Sequence, residues 1–115
     1  MTKSRVFVVQ APARRDGPRG DWVEKFDLTP AEAFGELVRC LPYGNVPVDA
    51  GPSRHALRVA FLDYDFSADY LLLLGDPVAC ARAVHVLAER QGFNDVIRAL
   101  KWDRRTSAYS PYDIG

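Results

Sequence analysis

One segment constrains the fold more than any other: the apolar run Tyr70–Leu74, followed directly by Gly75-Asp76-Pro77. Five apolar residues bounded by a turn signal are typical of a strand buried on both faces, as in parallel sheets. Asp76 is a strong helix cap and Pro77 suits the first helical position, so a helix is predicted from here to about Arg90. A buried strand that feeds a helix in this way indicates an α/β fold.

The N-terminal half adds two strands and one helix to this prediction. Arg5–Val9 and Trp22–Leu28 read as strands, and they are expected to pair as a hairpin across the loop Ala11–Gly20. Thr29-Pro30-Ala31-Glu32 has the pattern of a capping box with proline at the first helical position. The helix that it starts continues to Leu41 through an apolar stripe at helical spacing, namely Phe34, Leu37, Val38 and Leu41.

The C-terminal half adds a helix and a second hairpin. Ser53 is expected to cap a helix whose apolar stripe runs to Tyr64. Residues 96–102 and 108–114 alternate as two strands of a hairpin. Pro111 places the last strand at an edge of the sheet, because proline cannot donate to a strand ladder.

The predicted order is therefore β β α α β α β β, in a single small α/β domain over residues 1–115. We expect a mixed sheet of about five strands with about three helices packed against it, and the Tyr70 strand parallel to a neighbour. Leu, Ile, Val and Phe make up 31 of the 115 residues, which is above the level of disordered chains. The apolar runs are too short for a membrane span or a signal peptide, so a soluble cytoplasmic protein without a membrane partner is expected.

Three stretches carry a resemblance to a known family: residues 26–38, 69–78 and 100–104, the last followed by Tyr109, Pro111 and Asp113-Ile114. In this order and spacing they resemble a family of short uncharacterised proteins encoded by tailed bacteriophages and prophages. The resemblance covers nearly the whole chain and implies action in the cytoplasm of an infected bacterial host. That family has no established biochemical activity, so the resemblance implies no catalytic residues.

A ligand site is predicted at the turn after the Tyr70 strand. Open α/β sheets bind ligands beyond the carboxyl ends of their strands, and helix N-termini attract anions. Gly75, Asp76 and Gln10 are the candidate ligand-binding residues. Asp76 itself opposes a bare phosphate, and the chain lacks a G-x-G-x-x-G motif and a Walker lysine. A capped tight turn is the plain interpretation, and an Asp-held ribose or a metal-bridged phosphate is the functional one.

A second candidate surface comes from two basic segments in a chain whose 15 Lys and Arg balance 15 Asp and Glu. One segment spans residues 3–20, and its loop with Arg14, Arg15 and Arg19 departs from the family's pattern. The other segment spans residues 98–105. Their joining in space would form an arginine and tryptophan surface suited to nucleic acid or to a protein partner. Two separate solvated loops are the favoured interpretation. The candidate residues are Arg14, Arg15, Arg19, Trp22, Trp102, Arg104 and Arg105.

Carboxylates elsewhere are interpreted as structural. Glu36 and Arg39 have the spacing of a surface pair on the first predicted helix, and a general-base role for Glu36 is not favoured. Three aspartates near the end of the second helix do not match a calcium-loop spacing. They are read as a solvated acidic loop: Asp63, Asp65 and Asp69.

Histidine and cysteine give no catalytic or metal motif. His55 and His85 have no serine or cysteine neighbour at a spacing that implies a triad. Cys40 and Cys80 are expected to be buried small apolar residues on helices, since no short-spaced ligand pairs accompany them. No metal site, no cofactor and no catalytic residues are therefore predicted.

Three functions remain in order of preference. The first is a non-enzymatic accessory protein that binds a host bacterial protein. The second is a nucleotide- or phosphate-binding domain that uses the Gly75-Asp76-Pro77 turn. The third, which is not favoured, is nucleic-acid binding through the Arg-rich loops. Catalysis is not favoured but stays open, and the edge strand leaves dimerisation open.

Overall fold

A five-stranded mixed sheet organises the chain, in a computed structural model that describes residues 4–44 and 50–114. The strand order is β4-β1-β5-β6-β7, and a separate two-stranded sheet pairs β2 with β3. The elements in chain order are β1 (Arg5–Val8), β2 (Ala13–Asp16), β3 (Asp21–Glu24), a 3-10 helix (Thr29–Phe34), β4 (Glu36–Arg39), α1 (Ala50–Ala60), β5 (Tyr70–Leu72), α2 (Pro77–Arg90), β6 (Ile97–Asp103) and β7 (Ala108–Ile114). Lys3 and residues 45–49 of the predicted connector lie outside the described residues.

The predicted fold class is confirmed. The strands β4, β1, β5 and β6 run parallel to one another, and β7 is antiparallel to β6. The hairpin of the last two strands is present, and Pro111 lies on the edge strand as expected. At the start of α2, the Asp76 carboxylate accepts the backbone N–H groups of Val78 and Ala79, at 2.8 and 3.2 Å. Asp76 is therefore the helix cap, as predicted.

The predicted helix from Thr29 to Leu41 is wrong beyond its first two turns, which form a 3-10 helix. The 3-10 helix ends at Phe34, and the next residues form β4, which pairs with β1 from Arg5↔Glu36 to Val8↔Arg39. Gly35 makes the break: its φ is +153°, and a side chain there would come within 2.3 Å of the Ser4 carbonyl oxygen. Pairing with a buried parallel strand outweighs the helical spacing of the apolar residues.

The start of this 3-10 helix also differs from the predicted capping box. Leu28 occupies the cap position, and its side chain makes no capping hydrogen bond. The Asp27 carboxylate instead accepts both the N–H and the hydroxyl of Thr29, at 3.0 and 2.6 Å. An aspartate turn therefore takes the place of the threonine cap.

The first predicted hairpin is corrected as well. The segment Ala11–Gly20, expected to be a loop, contains β2, and β3 is shorter than the predicted strand Trp22–Leu28. β3 pairs with β2, from Ala13↔Glu24 to Asp16↔Asp21, and not with β1. A turn with glycines at φ +75° and +66° closes this hairpin, which is possible because Gly17 and Gly20 adopt positive φ without strain.

Two apolar layers enclose the sheet. On one face, α1 and α2 cover side chains of the central strands, including Phe7, Leu71 and Ile97. On the other face, the 3-10 helix contributes Ala31 to a cluster that contains Val6, Val8, Leu72 and Leu100. α1 begins at Ala50, so Ser53 lies inside the helix and is not its cap, and it accepts a hydrogen bond from Arg82 at 2.7 Å.

The predicted solvated acidic loop is wrong for one of its three members. Asp69 is buried, and its carboxylate accepts the backbone N–H of Arg5 at 2.9 Å, the Arg5 guanidinium at 3.0 Å and the N–H of Asp65 at 2.9 Å. Asp63 is exposed and binds the same guanidinium at 2.8 Å. This network ties the first residue of β1 to the residue that precedes β5. Within the described residues, no helix is long and apolar enough to cross a membrane.

Candidate functional site

The path of the chain creates a crevice at the carboxyl edge of the parallel strands. β1 and β5 are neighbours in the sheet. After β1 the chain reaches the face covered by the 3-10 helix, whereas after β5 it enters α2 on the opposite face. Neighbouring strands whose connections leave toward opposite faces form a topological switch point, where open α/β sheets bind their ligands.

A cavity of about 410 Å³ lies at this switch point. Its lining comes from the residues after β1, the β2–β3 hairpin, the connection that follows β4 and the turn after β5. These residues are Gln10, Ala11, Pro12, Ala13, Trp22, Lys25, Gly44, Gly75 and Asp76. The three candidate ligand-binding residues thus lie around one cavity, whose volume is in the range of small-molecule sites.

Gln10 links the segments that line the cavity through its hydrogen bonds. Its side-chain amide nitrogen donates to the carbonyl oxygens of Pro42 and Gly44, at 3.0 and 2.6 Å. Its backbone N–H donates to the carbonyl of Leu74 at 3.2 Å. Gly75 packs directly on it with φ +99°, and a side chain at Gly75 would place its Cβ 2.7 Å from the Gln10 Cβ and carbonyl oxygen. Gln10 therefore joins the ends of three strands, and its amide nitrogen is engaged by the protein itself.

The Asp76 carboxylate provides the cavity with a hydrogen-bond acceptor, and its negative charge disfavours an anion beside it. Its carboxylate already satisfies the first free amides of α2, through the bonds to Val78 and Ala79. A phosphate at this helix end would meet a negative charge where the helix dipole would otherwise attract it. A ligand hydroxyl, which donates a hydrogen bond, suits this position better.

Trp22 supplies the aromatic surface of the cavity. The Arg15 guanidinium lies over its ring at 4.6 Å, and the Tyr43 ring lies 6.0 Å away. A side chain at Gly44, where φ is +104°, would come within 3.3 Å of the indole. Sequence reasoning assigned Trp22 and Arg15 to a basic surface and did not connect them with Gly75. The hairpin and β4 bring them there, and both elements were assigned incorrectly from local pattern.

Lys25 and Gly44 were missed as cavity residues for the same reason. The backbone N–H of Lys25 donates to the Pro12 carbonyl at 2.8 Å, which continues the β2–β3 pairing next to the cavity. Gly44 belongs to the connection that follows β4. A glycine-rich connector is visible in the sequence, but its position depends on β4 lying beside β1.

An ion pair attaches the β2–β3 hairpin to the main sheet. The Arg39 guanidinium donates two bonds of 2.8 Å to the Glu24 carboxylate, and the Tyr43 hydroxyl donates a third at 3.1 Å. The Arg39 hydrogen bonds, and to a smaller extent that of Tyr43, hold the pKa of Glu24 below its ordinary value. The predicted Glu36–Arg39 pair is wrong, because Glu36 lies on strand β4 and Arg39 binds Glu24 instead.

The candidate residues of the two basic segments lie on different hairpins. Arg14, Arg15, Arg19 and Trp22 belong to the β2–β3 hairpin, which is attached at the β4 edge of the sheet. Trp102, Arg104 and Arg105 belong to the β6–β7 hairpin at the opposite edge. Trp102 packs edge-on against Tyr109 at 5.1 Å, and Arg105 pairs with Asp103 at 3.6 Å.

The remaining candidate residues have structural surroundings. His85 is exposed and lies 3.0 Å from Glu89, one turn further along α2, and His55 is exposed on α1. Cys40 and Cys80 are free and half-buried, but Cys40 follows β4 and is not on a helix. Burial raises the pKa of the Cys40 thiol to about 12. Among residues 4–44 and 50–114, no cluster of three or more His, Cys, Asp or Glu side chains is arranged to hold a metal ion.

These features define a small three-layer α/β protein with a ligand-sized cavity at the switch point of its sheet. The chain belongs to the family of Phage Pam3 gp32-like proteins, which it matches over residues 4–115. This match confirms the predicted relationship to a family of short phage proteins. Neither the curated proteins nor the solved structures contain a match to the chain.

Proposed function

We propose that this phage-family protein is a binding protein whose switch-point cavity takes a small ligand with an aromatic ring, hydroxyl groups and an anionic end. Nucleoside phosphates have all three parts and are the class to test first. The observation that supports the proposal is the meeting of Trp22, Lys25 and Asp76 around one cavity between β1 and β5. Open α/β sheets place their ligands at this position.

Each part of such a ligand has a matching group. The indole of Trp22 is about one-third exposed, at 37%, and offers apolar surface to a flat ring. The Asp76 carboxylate suits a sugar hydroxyl. Lys25 is exposed on the hairpin side of the cavity and suits an anion, and the Arg15 guanidinium beside Trp22 adds a second cation. A phosphate is therefore expected at the hairpin side, away from Asp76.

Binding is a better match to this lining than turnover. Asp76 is the one carboxylate among the described cavity residues, and it is engaged as a helix cap. General acid–base catalysis needs a group that is free to exchange protons within reach of the substrate. Apart from Asp76, the described lining offers Lys25 and neither a histidine nor a cysteine.

A thermal-shift screen followed by calorimetry tests this proposal. The probes are AMP, ADP, ATP and GMP at millimolar concentration, with ribose 5-phosphate and adenosine as partial ligands. A ligand present at about 100 times its Kd adds about 2.7 kcal/mol to stability, which raises Tm by about 10 °C for a chain of this length. Trp22→Leu and Lys25→Gln should weaken the response. Trp102→Leu changes a similarly exposed tryptophan outside the cavity and is the matched control.

Two outcomes of the screen would contradict the proposal. If no nucleotide raises Tm at millimolar concentration, or if Trp22→Leu responds as strongly as the unchanged protein, the ligand proposal is wrong. Loss of the response in Trp22→Leu alone, with Lys25→Gln unaffected, would keep the ring site and reject the anionic end.

A second candidate function is binding of a host bacterial protein in the cytoplasm of the infected cell. An apolar groove of about 360 Å³ at the carboxyl ends of β5 and β6 supports it, because Leu73, Trp102 and Tyr112 are exposed there. Exposed aromatic side chains are enriched at protein interfaces. The test is a tagged pull-down from host lysate, read by mass spectrometry and repeated at high salt. A stoichiometric host protein that is lost in a Leu73→Asp variant supports the proposal, and its absence from all pull-downs rejects it.

A further inference from the structure

The groove exists because the sheet divides between β5 and β6. The two strands pair through Leu71↔Ala99 and Leu72↔Leu100, and β5 ends at Leu72. The chain then turns toward β1: the N–H of Leu74 donates back to the Leu72 carbonyl at 3.0 Å, and the Leu74 carbonyl accepts from Gln10. β6 continues to Asp103 in contact with β7. Beyond Leu100, β6 is therefore paired on one side among the described strands.

The gap between the two strands is apolar and passes through the thickness of the sheet. Its lining includes Ile114, which packs in the cluster on the helical face, and Leu74 and Tyr109, which belong to the cluster on the other face. Side chains alternate between the faces of a strand, so a cavity lined from both faces lies at a strand edge and not above one surface.

Backbone groups of β6 turn toward this gap. Pro111 has no N–H, so it fits the ladder when its nitrogen faces away from β6. Its pairing partner Leu100 then directs its own N–H and C=O toward β5. By the period of two residues, Trp102 has the same orientation, at the level that β5 does not reach. The N–H and C=O of Trp102 are thus available to an added strand.

Charge at the rim indicates what kind of strand fits. Lys101 and Arg104 are exposed at the end of β6 and in the following turn. Asp103, the acidic residue of this segment, accepts the backbone N–H of Arg105 at 2.9 Å and pairs with its guanidinium. Acidic side chains on a bound segment would meet the positive charges of Lys101 and Arg104.

We propose that an extended peptide segment of a partner protein, with alternating apolar and acidic side chains, inserts into the gap as a strand beside residues 101–103 of β6. Strand addition of this kind derives affinity from main-chain hydrogen bonds and specificity from the side-chain pockets. The outer edge of β7 is the poorer alternative, because Pro111 interrupts its donors. The proposal rests on the protein-binding candidate and describes how that partner is held, and it is independent of the nucleotide cavity.

A displayed library of random ten-residue peptides tests the proposal on the full chain. Selection uses the unchanged protein alone, and the enriched peptides are then compared on a K101E/R104E variant, whose exposed positions leave the core intact. The expected outcome is an enriched family that alternates apolar and acidic residues. Absence of any enriched family, or a family that binds K101E/R104E equally well, overturns the proposal.

A synthetic peptide from the enriched family then tests the backbone ladder. N-methylation of its central amides removes the donors and keeps the side chains, and it should weaken binding about tenfold, which corresponds to one or two lost hydrogen bonds. K101E/R104E should weaken it about fivefold, and an R14E variant on the other hairpin should leave it unchanged. NMR hydrogen exchange should show new protection at the Trp102 amide.

Two results separate this proposal from the broader one. Equal affinity of the N-methylated peptide, or protection that excludes Trp102, rejects strand insertion. If a host protein is nevertheless retained by the unchanged chain and lost in Leu73→Asp, protein binding through the groove stands while the strand mode fails.

Discussion

The backbone N–H of Gln10 donates to the carbonyl oxygen of Leu74 at 3.2 Å. This bond draws the chain after β5 toward β1, where Gly75 and Asp76 line the switch-point cavity. In running toward β1, the chain leaves the end of β6 without a neighbouring strand on that side among the described residues, and the apolar groove lies there. The two candidate sites thus lie on opposite sides of the end of β5.

Gly75→Ala should destabilise the protein more than Gly17→Ala. Both glycines have positive φ, +99° and +75°, so each alanine costs about 1–2 kcal/mol of backbone strain. At Gly75 the new methyl would also lie 2.7 Å from Gln10, whereas nothing lies within 4 Å at Gly17. We expect Gly75→Ala to lose about 3 kcal/mol or more in urea unfolding. Equal losses for the two variants would contradict the close packing at the cavity base.

Asp69→Ala should be among the most destabilising single changes, by about 3–5 kcal/mol, because it removes a buried carboxylate from three hydrogen-bond partners, of which Arg5 keeps a second carboxylate, Asp63. Those partners are the Arg5 guanidinium and two backbone N–H groups. Asp63→Ala removes an exposed carboxylate from the same guanidinium and is the matched control, with little expected effect. Chemical denaturation of both variants measures the difference, and similar values would argue against the buried network.

Replacing Asp76 separates its capping role from its charge. Asp76→Asn keeps a good cap and should cost a few tenths of a kcal/mol, whereas Asp76→Ala should cost about 1 kcal/mol. Asp76→Asn should weaken binding of every probe in the nucleotide screen, because each carries a ribose, and should leave binding of a ribose-free anion, inorganic pyrophosphate, unaffected. Thermal unfolding and calorimetry on the two variants check both statements, and a loss of stability as large in Asp76→Asn as in Asp76→Ala would exclude the cap interpretation.

The Glu24–Arg39 pair predicts a difference that depends on pH. Because the pKa of Glu24 is lowered in the folded state from 4.5, chiefly by the Arg39 hydrogen bonds, its contribution is present above about pH 4.5 and is lost as pH falls through the lowered value. Both side chains lie partly in solvent, so the gain is about 0.5 kcal/mol. Arg39→Gln should therefore be less stable than the unchanged protein at pH 7, and the difference should shrink at an acidic pH well below 4.5.

Urea titrations at the two pH values measure this effect. Arg14→Gln, an exposed arginine on β2, is the control and should show no such convergence. A constant gap between Arg39→Gln and the unchanged protein at both pH values would show that Arg39 acts through packing and not through the carboxylate.

Both cysteines should react slowly in the folded protein. Burial raises the pKa of Cys40 to about 12, and burial followed by the nearby Asp76 charge raises the pKa of Cys80. At about pH 8 the thiolate fraction is then small. A chromogenic disulfide reagent should modify the native chain slowly and the urea-unfolded chain rapidly, with Cys40→Ser and Cys80→Ser assigning each rate. Rapid modification of the native protein at either thiol would contradict this burial.

Local signals in the sequence determined the parts of the fold whose stabilising contacts are close along the chain. The β5 turn into α2 depends on the Asp76 cap and on Pro77, and the β6–β7 hairpin depends on alternation and on Pro111 at the edge. The same signals located Gly75 and Asp76 in a cavity, since the carboxyl end of a buried parallel strand is where α/β proteins form one.

Tertiary pairing decided the rest. Residues 36–39 have helical spacing and still form β4, because β1 offers a buried parallel partner and Gly35 fits against the Ser4 backbone where no side chain would. That pairing sets Gly44 and the β2–β3 hairpin beside the cavity, and so brings in Trp22 and Lys25. Asp69 is likewise buried beside Arg5, 64 residues away, whose guanidinium and backbone N–H donate to its carboxylate. Contacts between residues far apart in sequence produce no local pattern of apolar residues in either segment. They can therefore be identified only from the tertiary structure.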